Sequence, residues 1–145
     1  NIESTLERLL ELGAIPIINE NDTVSTAEIK VGDNDTLSAI VAVSVKADLL
    51  ILLSDINGLY TADPHTHPDA KLISVVEHIT PEMEAAAGGA GTRQGTGGMI
   101  TKLGAARLTT SHGVPMVIAN GEDPTRLYDI VDGMTVGTLF LAKES

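Results

Sequence analysis

The stretch DLLILLSD, residues 48–55, constrains the fold more than any other: five consecutive aliphatic residues, Leu49 to Leu53, sit between two aspartates. A strand with one wet face alternates apolar and polar side chains. An unbroken apolar run with polar ends therefore predicts a strand covered on both faces, the habit of parallel sheets sheltered by helices. Composition points the same way. Hydrophobic residues make up 43% of the 145 positions, yet aromatics supply 2%, so a core here must be built from Val, Ile, Leu and Ala. The length suffices for one domain with a real core.

Helical and extended patterns alternate along the rest of the chain. Ile2, Leu6, Leu9, Leu10 and Leu12 recur at near-helical spacing, with Gly13 as the stop. AIPIIN, residues 14–19, reads as a short buried strand ending in the polar corner NEND, and residues 24–31 suit a hairpin or an irregular excursion. A helix is expected from Asp35 to Ala47, with Asn34 or Asp35 as N-cap. After the 48–55 strand comes a loop punctuated by Asn57-Gly58, Asp63-Pro64 and Pro68. KLISVV (71–76) predicts another strand, and TPEMEAAAG a short helix with Thr80 as cap and Pro81 in its first position. Residues 88–98 hold six of the 14 glycines, which predicts the most mobile segment. A helix from Met99 to His112 should stop at Gly113. VPMVIANG and TVGTLF predict strands on either side of a capped helix in DPTRLYDIVDG. Such alternation predicts one α/β domain with a mainly parallel sheet.

Several function classes are disfavoured. A net charge of -11 argues against nucleic acid, whose phosphates demand Lys and Arg. Without cysteine there are no disulfides and no thiolate metal sites. His65-Thr66-His67 lies in a proline-bounded loop and reads as solvated, so no metal site is expected. No apolar run approaches the roughly 18 residues of a membrane span. The opening NIESTLERLLELG has neither the basic start nor the apolar stretch of a signal peptide. It opens at a helix start without an initiator methionine, so a piece of a longer protein is expected.

In open parallel sheets ligands collect at the carboxyl ends of the strands. Three polar clusters fall at such ends: Asn19–Asp22, Ser54–Gly58 and Asn120-Gly121. Two further stretches carry chemistry. VGDND, residues 31–35, places polar residues at a helix start, where carboxylates gain about 0.3–1 kcal/mol from the helix dipole and stay ionised. GTGGMITK, residues 95–102, reads as a phosphate-holding loop. Gly97 and Gly98 would let backbone N–H groups approach an anion at a helix start, and Lys102, one turn on, could reach back over them. It is not a P-loop of the Walker A type, which needs Lys directly after Gly and a strand before the loop.

IPIINENDTVSTAEIKVGDNDTLSA, LLILLSDINGLYTADP and GTGGMITKLGAA, in this order across some 90 residues, resemble the amino-acid kinase family, and within it the branch that phosphorylates the side-chain carboxylate of L-glutamate. The resemblance runs from Asn1 to about Ala142. It implies a three-layer α/β sandwich with a mainly parallel central sheet, and a chain corresponding to the C-terminal part of the catalytic domain. ATP with Mg2+ is the implied phosphoryl donor and γ-glutamyl phosphate the product, in the first step of proline biosynthesis. Asn19, Asp22 and Asn34 then match glutamate contacts. Ser54, Asp55 and the run Thr96, Gly97, Gly98, Met99, Ile100, Thr101 and Lys102 match nucleotide contacts. Lys102 matches a lysine that steadies the transferred phosphoryl group, and Asp35 an aspartate that organises catalytic lysines.

Further implications are a cytoplasmic homo-oligomer, feedback inhibition by proline, and no membrane or nucleic-acid partner. The family's N-terminal portion, with another glycine-containing phosphate loop and a second lysine, has no counterpart here, so the chain alone is expected to be inactive. Two alternatives stay open: the kinase part of a bifunctional enzyme making pyrroline-5-carboxylate, and a non-catalytic module sensing glutamate or proline.

Overall fold

A computed structural model describes residues 1–19, 34–88 and 95–143. The expected excursion at 24–31 and residues 89–94 of the glycine-rich stretch 88–98 lie outside the described residues. The elements are α1 (Ile2–Glu11), α2 (Asn34–Ser44), β1 (Leu50–Ser54), β2 (Val75–Val76), α3 (Pro81–Gly88), α4 (Gly95–Ser111), β3 (Met116–Asn120), α5 (Arg126–Val131) and β4 (Thr138–Phe140).

The strands form one sheet in the order β1-β3-β4-β2. β1 and β3 pair in parallel, from Leu50 opposite Met116 to Ser54 opposite Asn120. β2 and β4 are also parallel, while β3 and β4 run antiparallel. The sheet is thus mixed, with parallel pairs in the majority. Side chains alternate between its two faces. Leu52, Met116, Ile118, Phe140 and Val76 face α2, α3 and α4, through Ala39, Ala87, Met99, Leu103 and Ala106. Val117 and Ala119 face Ile130 of α5 on the other side. Helix, sheet and helix make the three layers, and the helix-facing core is aliphatic apart from Phe140, Met99 and Met116.

Small residues explain how closely α2 and α4 approach: Ala39 and Ala106 are fully buried, and at a close crossing a methyl side chain adds the least bulk. Each helix ends in the same device. After α4, the Gly113 N–H donates to the Thr110 carbonyl and the Val114 N–H to that of Thr109, with Gly113 left-handed at φ 83°. This is the Schellman arrangement, in which glycine escapes the Cβ penalty. After α2, Lys46 and Ala47 donate likewise to Val43 and Ala42, but the left-handed position, at φ 54°, is held by Lys46 itself. These tight turns send the chain straight into β1 and β3. The amino ends of α2 and α4 are therefore directed toward the carboxyl edge of both strands.

Four expectations need correction. Residues 14–19 form no strand: Ile15 and Ile17 are 89% and 94% exposed, no described strand pairs with them, and Pro16 lacks an N–H for a ladder. KLISVV contributes only Val75–Val76 to the sheet, plus a bridge from Leu72 to Tyr60. Asn34 and Asp35 are not caps but already the first turn of α2. The helix expected from Met99 begins at Gly95, so GTGGMITK is the first two turns of a helix rather than a loop. The cost of glycine in a helix, roughly 1 kcal/mol against Ala, hid that start. Elsewhere local chemistry holds: Pro81 opens α3, and the Thr80 hydroxyl accepts from the Met83 N–H at 3.2 Å.

Candidate active site

The first turn of α2 faces two ways. Asn34 and Ser38, one turn apart, line a cavity of about 410 Å³ that also meets Asn19, Leu37, Val41 and Leu50. Asp35, on the neighbouring face, points to α4. Its Oδ2 accepts from Lys102 Nζ at 3.1 Å and from the Thr101 hydroxyl at 2.9 Å. The Lys102 and Asp35 side chains keep 13% and 20% of their exposure, so the pair is largely withdrawn from water. Lys102 Nζ also lies 3.5 Å from the Gly98 carbonyl, so its ammonium does reach back over the glycines. Thr101 has one hydroxyl proton and two acceptors, Asp35 Oδ2 and the Gly98 carbonyl at 2.8 Å.

The other named positions divide. Asn19 and Asn34 share the cavity, whereas Asp22 lies outside the described residues. Thr96 and Gly97 occupy the first turn of α4. Met99 is buried in the core, which leaves only its backbone for a ligand. Ile100 is half-exposed and lies so close to Gly88 that a Cβ there would overlap it. His65 and His67 are exposed, the latter bonded through Nδ1 to the Thr66 hydroxyl at 2.9 Å.

Ser54 and Asp55 leave the carboxyl end of β1. The Ser54 hydroxyl donates to Asp55 Oδ1 at 3.2 Å and accepts from the Ile56 N–H at 3.3 Å. Beside them is a set of contacts that the motif reading missed. Asn120, which ends β3, donates from Nδ2 to Asn57 Oδ1 at 3.1 Å and lies 3.5 Å from the Asp55 carbonyl. Asn57 Nδ2 continues to the Tyr60 hydroxyl at 3.2 Å. The signal was present: Asn120-Gly121 and Asn57-Gly58 both follow apolar runs, and parallel pairing of those runs brings their ends together. The loop is pinned further on by Thr138, whose buried hydroxyl accepts from the Leu59 N–H at 2.8 Å and donates to the Ile73 carbonyl at 2.6 Å. A Cβ on Gly58 would meet that oxygen at 2.6 Å, so glycine is required there by space.

The arrangement is a largely buried ammonium beside glycine-rich helical backbone, at the sheet edge where ligands gather. It suits an anion with several oxygens. Among known proteins, residues 1–120 match the amino acid kinase family. The chain belongs to that family. It is 60% identical over 142 residues to a glutamate 5-kinase of Deinococcus radiodurans, covering 98% of this chain and 39% of the relative. It is 54% identical over 148 residues to a glutamate 5-kinase of Clostridium perfringens, covering 99% and 55%. The chain thus spans between two fifths and just over half the length of these relatives. Solved structures agree on the family fold. A UMP kinase from Bacillus anthracis superposes with a TM-score of 0.67 at 19% identity, over 99% of this chain and 52% of its own. The isopentenyl phosphate kinase of T. acidophilum gives 0.62 at 23%, over 94% and 52%.

Proposed function

We propose that the full-length protein containing this chain transfers the γ-phosphoryl group of ATP to the side-chain carboxylate of L-glutamate. The product is γ-glutamyl phosphate, in the first step of proline biosynthesis, and this chain is the C-terminal part of the catalytic domain. The observation that carries the reading is the Asp35–Lys102 pair, which joins the starts of α2 and α4. Identity of 54–60% to proteins named glutamate 5-kinase supports the substrate.

The acceptor carboxylate is ionised at neutral pH, so the site needs no general base. What remains is positioning and charge stabilisation, which dominate phosphoryl transfer. An ammonium has three donors. Among the described residues Lys102 aims them at Asp35 Oδ2 and the Gly98 carbonyl, which leaves one for a phosphoryl oxygen. Asp35 holds that ammonium in place and is the residue that organises it. The nucleotide contacts are Ser54, Asp55 and the run from Thr96 to Lys102, whose helix-start N–H groups favour negative charge. Asn19, Asp22 and Asn34 are the glutamate contacts. Mg2+, bound with the ATP phosphates, would offset their charge; the described residues hold no cluster of three acidic or histidine groups to bind it alone. Inhibition by proline, a homo-oligomeric assembly and a cytoplasmic location complete the reading and rest on family resemblance. No described helix is long and apolar enough to cross a membrane.

The test is direct. Full-length protein with Mg-ATP, L-glutamate and hydroxylamine should yield a glutamyl hydroxamate, trapped from the acyl phosphate. ATP turnover with UMP or another acceptor, and none with glutamate, sinks the assignment.

A further inference from the structure

The polar cluster Asn120-Gly121 has no role in the site described so far. Its side chain nevertheless bonds to residues 65 and 63 positions away, across the edge of the sheet. Asn120 is the last residue of β3, in register with Ser54 at the end of β1. The Gly121 N–H donates to the Ser54 carbonyl at 2.8 Å. A Cβ on Gly121 would meet that of Leu53 at 3.0 Å, so the two strand ends are pressed together. From there the Asn120 amide spans the gap. Its Oδ1 accepts from the Glu122 N–H at 2.8 Å, which fixes the amide's orientation and turns Nδ2 toward Asn57 and the Asp55 carbonyl. Asn57 passes the chain of bonds on to Tyr60.

We infer that Asn120 and Asn57 act as a unit that positions the Ser54–Asp55 turn for nucleotide. They are positioning residues, acting through backbone and side chains that meet the ligand. This rests on the nucleotide role given above to Ser54 and Asp55. The argument is one of magnitudes. Asn57 and Asp55 are exposed, and hydrogen bonds open to water exchange with solvent at little net gain. Three linked amide contacts at such a place do little for stability. They do restrict which way the Asp55–Asn57 turn faces, and orientation is what a preorganised binding loop requires.

The experiment is a double-mutant cycle in the full-length protein with Asn120→Ala, Asn57→Ala and both, read by calorimetric binding of Mg-ADP and by steady-state kinetics. Each single change should weaken Mg-ADP binding about five- to tenfold, a loss of roughly 1–1.4 kcal/mol. The double variant should be no weaker than the worse single, because residues acting as one unit are not additive. KM for ATP should rise in step, while KM for glutamate stays within twofold and the melting temperature nearly unchanged. The inference is overturned if binding stays within twofold of the parent protein, if the two effects multiply, or if either variant loses its cooperative fold. Weakened Mg-ADP binding without any glutamate phosphorylation would leave this inference standing and remove the proposed acceptor.

Discussion

Asp35 and Lys102 hold two helix starts together with opposite charges at 20% and 13% side-chain exposure, whereas Asn57 and Asn120 hold two strand ends together with neutral amides in the open. Both connections cross between elements far apart in sequence and both sit at the ligand-facing edge. Their surroundings differ. A largely desolvated charge loses much when its partner is removed, because little water replaces it. An exposed amide finds water at once. The first connection can therefore carry both stability and chemistry, and the second can carry geometry alone.

The largest effect expected from this contrast is catalytic. Lys102→Ala in the full-length protein should lower kcat by about 10²–10³-fold, or roughly 3–4 kcal/mol, by comparison with loss of one preorganised electrostatic donor. Steady-state kinetics at saturating glutamate and ATP give the answer. A loss under tenfold would place the ammonium outside the reaction. The next effect is on stability. Asp35→Ala should cost about 1–3 kcal/mol, between the near-zero value of exposed pairs and the 3–5 of buried ones. Asn120→Ala should stay within about 0.5 kcal/mol, since the half-buried Asn120 makes its side-chain bonds where water can replace them. Denaturant unfolding of both variants measures the difference. Equal losses would erase the distinction between the two connections.

How much of this was legible in the sequence follows from the range of the interactions. Strand β1 was plain because five aliphatic residues in a row have few other uses, and Pro81 and Gly113 marked helix ends through their own backbone geometry. The role of Lys102 beside Asp35 came from motif likeness, since 67 residues separate them and no local rule joins them. The start of α4 was misplaced because glycines signal a loop, and only packing of Met99, Leu103 and Ala106 against the sheet overrides that tendency. Residues 14–19 erred in the opposite sense: the apolar pattern was right for a strand, but a strand also needs a neighbour. The Asn57–Asn120 contact depends on the parallel register of β1 with β3, which the two runs do not encode separately.

The far ends of the same two helices sharpen the comparison on a smaller scale. At Gly113 and Lys46 the backbone is left-handed in the same motif, once with the residue suited to it and once without. Gly113→Ala should cost about 1–2 kcal/mol, the left-handed penalty of an L-residue. Lys46→Gly should relieve that strain but add chain entropy to the unfolded state, for a net gain of about 0.5–1 kcal/mol. If both glycine and lysine positions tolerate either change without shift in unfolding midpoint, the turns after α2 and α4 are not what fixes the helix starts at the ligand edge.

The smallest expected effect lies before α5, on the opposite face. Asp123 accepts from the Thr125 hydroxyl at 2.6 Å and from its N–H at 3.1 Å. The Thr125 hydroxyl and then its N–H hold the carboxyl below its ordinary value of 3.8, against a smaller opposing pull from desolvation, and the charge of Arg126 adds least. The sign follows from linkage: a carboxyl that binds protons less readily when folded adds stability fully present above its unfolded value, and lost as pH falls through the lower folded one. The loss therefore sets in as pH falls toward 3.8 and is completed below it, and it should vanish in Asp123→Ala. A carboxyl-observed NMR titration of Asp123 should show a midpoint under that value. A midpoint at or above it would mean that the turn before α5 opens in solution. The helix behind β3 would then rest on the packing of Ile130 against Val117 and Ala119, a looser support for the strand whose end carries Asn120.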